Sequence, residues 1–339
     1  MTATEPTALA LFSGGLDSIL ACRVIMAQGI RVRAVKFTTP FFGYELLARE
    51  EEYRREIFAR YQIDLVLRDL SESFLKMLRA PVHGYGKNFN PCLDCKILIA
   101  STARDMLAEL GGSFLISGEV VGQRPMSQRL DTLRVVERDS GCEGLLLRPL
   151  CAARLKETLP EQRGWVDRQQ LPSFYGRNRT PQIELAARLG ITDYPTPGGG
   201  CVLTDPNRAV RVRRYYAEHR EARVGDVRLL MLGRQFILPG GSWLALGRDQ
   251  GENEALAALR QPGDLFLQME DWPGPAAIIR NFGGHGDLAA AAWLLRSFSR
   301  KGEGRQRGRV VLLGEDGRVE GAVAPGPEIA EELWRSWQR

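Results

Sequence analysis

The sequence predicts an α/β protein, a doubly wound parallel sheet followed by a smaller α+β domain. Three observations carry this. Short apolar runs at residues 8–12, 31–38, 63–67 and 113–116 alternate with segments of helical spacing, the rhythm of parallel strands joined by crossover helices. Between residues 140 and 206 that rhythm weakens while Pro, Gly and Arg accumulate. From residue 224 the chain changes again, to short strands and turns with one late helix. We therefore expect domains at 1–140 and 221–339, with 141–220 an arginine-rich extension of the first.

The elements follow in order. Residues 8–12 read as a strand, and residues 19–26 as a helix by their apolar spacing, closed by Gly29. Residues 31–38 alternate as a second strand, 46–61 form a charged helix, 63–67 a third strand and 98–110 another helix. Residues 113–116 end a further strand at Ser117-Gly118-Glu119. In sheets of this type ligands bind beyond the carboxyl ends of the strands. Residues 180–189 read as a helix before the stiff turn Tyr194 to Gly200. In the last region, 227–232, 236–238 and 243–246 read as strands and 287–298 as a helix.

The 339 residues are 44% hydrophobic, enough for more than one core, and contain no apolar run of membrane-spanning length. With neither a basic start nor a signal-type stretch at residues 1–7, a soluble cytoplasmic protein that does not engage membranes is expected. The net charge is +5, and residues 121–220 supply the excess with 17 Lys/Arg against 11 Asp/Glu. Guanidinium groups there suit phosphate contacts, although a solvated basic face explains them equally well. Six cysteines without a secretory context favour metal or redox chemistry over disulfides.

Ser13-Gly14-Gly15-Leu16-Asp17-Ser18 stands between the first strand and the first helix. It has neither the lysine of a kinase-type phosphate loop nor a G-x-G-x-x-G run. Two adjacent glycines let backbone N–H groups turn around an anion, and the helix N-terminus and flanking hydroxyls add to that cradle. Asp17 is suited to share Mg²⁺ with a pyrophosphate. An ordinary capped turn is the plain alternative. All six residues match S-G-G-x-D-S, and the segment resembles the PP-loop ATP pyrophosphatase superfamily. That resemblance implies ATP cleavage between the α and β phosphates, with AMP passed to a carbonyl oxygen.

Asn90-Pro91-Cys92-Leu93-Asp94-Cys95-Lys96 sets two thiols at the entrance to a helix, and Cys201 follows Gly198-Gly199-Gly200, where a tight bend and a close approach are possible. Three thiolates leave one coordination position open on a metal or on a [4Fe-4S] cluster. Structural zinc and a metal-free persulfide relay through Cys95 and Cys201 remain alternatives. This segment resembles that of bacterial tRNA 2-thiouridylases, with Cys95 and Cys201 at the two catalytic-cysteine positions. Cys92 replaces an Asp of the cluster-free enzymes, and the resulting triad is similar to that of iron-sulfur-dependent tRNA thiouridine synthetases, including the 4-thiouridine type. The resemblance implies an unliganded iron holding hydrosulfide for attack on an adenylated uracil. Cys22 reads as core, and neither Cys142 nor Cys151 is a favoured ligand.

Around the expected ATP pocket, Phe37 ends the second strand where similar enzymes meet the adenine, with a plain core aromatic an equal alternative. Gly118 is expected to admit the ribose or adenine and Arg124 to meet phosphate or tRNA, against an ordinary polar surface loop. Lys96 is expected to support the adenylyl transition state, against an exposed helix lysine. The ATP-binding set is thus Ser13, Gly14, Gly15, Asp17, Ser18, Phe37, Gly118 and Arg124, and the catalytic set Asp17, Cys92, Cys95, Lys96 and Cys201.

Leu246-Gly247-Arg248-Asp249-Gln250-Gly251-Glu252-Asn253 and Asp264 to Ile279, which includes Trp272, resemble in order and spacing two segments of NFACT-R-type RNA-binding modules. Gln268 and Ala276 stand where that family has histidines. The region is near neutral, 15 basic against 16 acidic residues, which argues against strong non-specific RNA binding and is compatible with reading the shape of structured RNA. The expected activity is tRNA uridine thiolation with ATP, Mg²⁺ and a [4Fe-4S] cluster, drawing sulfur from inorganic sulfide or a cysteine desulfurase. A small-molecule PP-loop amidase or nitrile-forming ligase with structural zinc, and a non-catalytic RNA-binding protein, are the rivals. Oligomeric state and the uridine modified stay open.

Overall fold

The computed structural model describes residues 5–196, 201–271, 273–299 and 308–339. Gly198, Gly199, Gly200 and Trp272 lie outside the described residues. The chain divides into two compact units, 1–209 and 210–339.

In the first unit β1 (Thr7–Leu11), β2 (Arg31–Thr38), β3 (Asp64–Asp69), β4 (Phe114–Ser117) and β5 (Leu146–Leu147) form one sheet in the order β3-β2-β1-β4-β5. Every pairing is parallel. The connecting helices are α1 (Leu16–Met26), α2 (Glu50–Tyr61), α3 (Ser71–Arg79), α4 (Cys92–Asp105), α5 (Leu107–Leu110) and α6 (Leu130–Ser140). α7 (Leu159–Gln162) and α8 (Thr180–Arg188) follow. Strand alternation sends Ala8 and Ala10 into one core with Ile19, Leu20 and Ala186, while Leu9 enters a second core with Val35, Leu115 and Ala103. Both faces are therefore covered, as a parallel sheet requires. The strand order reverses between β1 and β4, so the loops leaving their carboxyl ends flank a crevice.

In the second unit α9 (Pro206–Glu218), within which the division falls, precedes α10 (Val224–Leu230). Then come β6 (Arg234–Ile237), β7 (Trp243–Leu246), α11 (Gln250–Ala258), β8 (Leu265–Met269), β9 (Ala276–Arg280), α12 (His285–Ser297), β10 (Val310–Leu313), β11 (Val319–Val323) and α13 (Glu331–Ser336). The strands make an antiparallel sheet in the order β11-β10-β8-β9-β7-β6. Its core joins Leu244, Leu267 and Ile279 to Ala291 and Leu295 of α12.

One expectation is corrected. Residues 227–232 are not a strand, since most of them fall in α10. Asp226, Val227, Leu229 and Leu230 are buried at i, i+3 and i+4 spacing, so the apolar run is one face of a short helix. Among the described residues no helix is long and apolar enough to cross a membrane.

Candidate active site

The glycine loop turns at the end of β1. Ser13 Oγ accepts the Gly15 N–H at 3.3 Å and donates to Ser18 Oγ at 3.2 Å, and Ser18 Oγ donates to the Gly15 carbonyl at 2.7 Å. Gly14 has φ 87°, and a Cβ there would stand 3.0 Å from the Tyr53 hydroxyl. The positive φ strains any side chain there, and the Tyr53 hydroxyl would have to give by a few tenths of an ångström. The loop delivers the chain into α1, whose first-turn amides have no intrahelical acceptors and attract anions. Lys36 of β2 donates to the Ser13 carbonyl at 2.6 Å. Burial lowers its pKa, opposed by the charge of Glu45. Sequence reading missed Lys36, because nothing in residues 31–38 shows that its side chain reaches a loop 23 positions away.

Beside the loop lies a cavity of about 340 Å³, lined by Ser13, Asp17, Ser18, Phe37, Lys96, Gly118 and Arg124 among others. Ser13 comes from the turn after β1, Asp17 and Ser18 from the start of α1, Phe37 from β2, Lys96 from α4, and Gly118 and Arg124 from the segment after β4. Of the ATP-binding set expected from the sequence, Gly14 and Gly15 are not in this lining. Gly118 has a second constraint. A Cβ on it would come within 2.4–2.5 Å of the Asp17 and Ser18 backbone. Only glycine lets the end of β4 pack against the phosphate loop.

Asp17 is held from two sides. Gln123 Nε2 donates to its Oδ2 at 2.6 Å, Gln182 fixes Gln123 at 3.0 Å, and Arg179 Nη2 stands 3.6 Å from Oδ1. Oδ1 is buried without a hydrogen-bond partner among the described residues. A cavity-lining carboxylate with one oxygen free of hydrogen bonds, though ion-paired with Arg179, is of the donor type that suits a hard cation such as Mg²⁺.

Glu119 is a further residue missed from sequence. It is buried, yet accepts from Lys96 Nζ at 2.7 Å and from Arg148 Nε at 3.0 Å. Arg148 is fully buried and also pairs with Glu137. Burial alone would raise the Glu119 pKa, but the charges of Lys96 and Arg148 and their hydrogen bonds outweigh it and hold the carboxyl at about 2. Only the acidic residue after Ser117-Gly118 hinted at this role. The two arginine and lysine partners lie 29 and 23 positions away.

The cysteines occupy a separate place. Cys92 and Cys95 sit in the first turn of α4, and Cys201 precedes a short 3₁₀ turn. Each is partly exposed. Burial pushes the Cys95 thiol up to about 12, against the Lys96 charge and with help from Cys201 and Cys92. Burial also raises Cys201, opposed by the Leu203 amide and assisted by Cys92. The three thiols thus feel one another. Among the described residues, no three His, Cys, Asp or Glu side chains are gathered as a metal-binding group. In donor chemistry alone, three thiols suit a soft metal or an iron-sulfur cluster. Asp94, between Cys92 and Cys95, is buried and accepts the Val82 N–H at 2.8 Å and the His83 N–H at 3.1 Å, tying the preceding loop to α4. Cys22, Cys142 and Cys151 are buried in the cores, and burial raises all three thiols.

Comparison with known proteins adds family information. Residues 3–159 match the model of the thiamine biosynthesis protein (ThiI) family. Residues 233–338 match the NFACT protein RNA binding domain. No curated protein matches the chain. Among solved structures, a 4-thiouridine synthetase–RNA complex with bound ATP aligns at 18% identity over 67% of this chain and 53% of its own, with a TM-score of 0.39. The chain therefore spans about half the length of that synthetase. A predicted tRNA methyltransferase subunit from Methanocaldococcus jannaschii aligns at 16% identity over 42% of this chain and 69% of its own, with a TM-score of 0.31. The first unit is thus similar over residues 3–159 to the ThiI family, and the second over residues 233–338 to the NFACT RNA binding domain.

Proposed function

We propose that the protein is a tRNA sulfurtransferase that activates a uridine with ATP and replaces its carbonyl oxygen by sulfur in the cytoplasm. The observation that carries this is the cavity at the β1/β4 switch point, where the glycine loop, Asp17, Lys96, Phe37, Gly118 and Arg124 converge. The ThiI-family match over the same residues and the RNA-binding match beyond them support the sulfur chemistry and the acceptor.

The loop amides and Ser13 and Ser18 bind the departing phosphates, and Asp17 would hold Mg²⁺ against them. Phe37 flanks the base. The uracil oxygen attacks the α phosphorus: an O–P bond forms, the bond between the α phosphorus and the α,β-bridging oxygen breaks, and pyrophosphate leaves. Lys96, held by Glu119, places positive charge where the α phosphate gains negative charge. Hydrosulfide then adds to the activated carbon, the C–O bond breaks, AMP departs and the S–H proton is lost to solvent. Cys92, Cys95 and Cys201 would hold a [4Fe-4S] cluster, which supplies a sulfur-carrying position when bound.

Anaerobically purified protein is expected to contain iron and sulfide in cluster stoichiometry and to form thiouridine in tRNA. Cys92→Ala should lose both the cluster and thiolation. Thiolation retained without iron would instead establish a persulfide relay. Zinc, with pyrophosphate exchange driven by a carboxylic acid and not by tRNA, would establish a small-molecule ligase.

A further inference from the structure

We propose that the cleft bordered by α9 and the end of β9 takes one unpaired RNA nucleotide, its base stacked on His219 and Phe282 and its phosphate met by Arg220 and Arg223. This rests on the RNA-acceptor reading and goes further by naming the surface and the form of RNA it accepts. The cleft encloses about 720 Å³ within the second unit and is lined by all four residues.

A stacking platform is already built there. The Tyr215 and His219 rings lie parallel, with centroids 4.2 Å apart and an interplanar angle of 17°. Tyr215 is buried, donates its hydroxyl to Asp226 at 2.8 Å and accepts the Arg223 N–H at 3.3 Å. Asp226 is gripped by buried Arg280 at 2.6 Å, and Arg280 makes a two-point contact with Asp264 at 3.0 and 2.6 Å. The platform therefore cannot tilt without breaking a buried ion network. His219 Nδ1 stands 3.0 Å from the Tyr215 carbonyl, so a neutral ring donates there and keeps Nε2 as an acceptor. Its ring, stacked on Tyr215, is part of the cleft lining.

Phe282 lines the same cleft and is 41% exposed, with its ring in edge contact with His285 at a centroid separation of 6.2 Å. It follows Asn281, whose φ of 56° ends β9 in a left-handed turn. The acidic groups do not repel a phosphate strongly. Asp226 and Asp264 are engaged by Arg280 and Glu218 by Arg339, which leaves Glu221 beside Arg220 and Arg223. Charge at the cleft is nearly balanced, so stacking must supply most of the affinity. Stacking on aromatic side chains is the mode by which proteins hold unpaired bases, whatever their identity.

The test uses the full chain and an unmodified tRNA transcript. Phe282→Ala and His219→Ala should each weaken tRNA binding by about ten-fold, the scale of one lost base stack. The salt dependence of binding should be unchanged, because no phosphate contact is removed. A single-stranded oligonucleotide should compete with tRNA and a blunt RNA duplex should not. A 2-aminopurine in that oligonucleotide should be quenched on binding to the parent protein and not to Phe282→Ala, while Phe282→Trp restores quenching. Unchanged affinity of Phe282→Ala with intact tRNA binding, or competition by duplex equal to that by single strand, would overturn the cleft assignment and leave the RNA reading standing. Failure of the parent protein to bind any tRNA would overturn both.

Discussion

Glu119 gathers Lys96 and Arg148 around a single buried carboxylate, and its consequences are local and measurable. Its folded pKa lies below its ordinary value of 4.5, at about 2. A depressed carboxylate stabilises the fold above the unfolded pKa and loses that contribution as pH falls toward the folded one. Urea denaturation should therefore show the parent protein losing stability between about pH 4.5 and 2, and Glu119→Gln should lack that part of the pH dependence. The same variant frees Lys96. Steady-state kinetics should show kcat reduced about a hundred-fold with a smaller change in the KM for ATP, as for a weakened transition-state contact. None of these partnerships could be read from residues 117–123, because each depends on a side chain brought in from another element. The loop Ser13 to Ser18 was legible for the opposite reason, since its chemistry lies in six consecutive residues and the backbone they permit.

At the scale of elements, the parallel strands and their helices were legible because each is a local apolar period, and the structure arranges them in the expected doubly wound class. The misreading of α10 shows where periodicity runs out. In a helix of only seven residues the single buried face, Asp226, Val227, Leu229 and Leu230, is too short a run to be told from a strand by its spacing. The contact between the end of β4 and the phosphate loop was invisible for another reason, because it joins residues about a hundred positions apart through backbone alone. Gly118→Ala is accordingly predicted to force the two apart, at a cost of about 1–3 kcal/mol for overpacking. Calorimetry should show a lowered Tm, and isothermal titration a loss of ATP binding out of proportion to that shift.

Over the whole molecule, each unit closes its own hydrophobic core. Thermal unfolding of the full chain should therefore resolve two transitions. Arg280→Met should lower only one, by a destabilisation of about 3–5 kcal/mol, because Asp226 and Asp264 would be left buried without their counter-ion. Gly118→Ala should lower only the other. The second unit was legible from two partial motifs, while its strand order was not, since antiparallel pairing in the order β11-β10-β8-β9-β7-β6 depends on long returns that no local pattern encodes.

The placement of the six cysteines also fixes how the protein will answer a covalent probe. Cys22, Cys142 and Cys151 are sealed in the cores, and Cys92, Cys95 and Cys201 are within reach of solvent. An alkylating reagent applied to the native, reduced and metal-free chain should spare Cys22, Cys142 and Cys151, and should reach Cys95 and Cys201 only slowly because burial raises both thiols. Peptide mapping would then give an occupancy assay: protection of all three together reports a shared ligand, and protection of one pair reports a bond between them. The sorting of thiols by depth makes the chain its own internal control, with three silent positions that react only once the fold is lost.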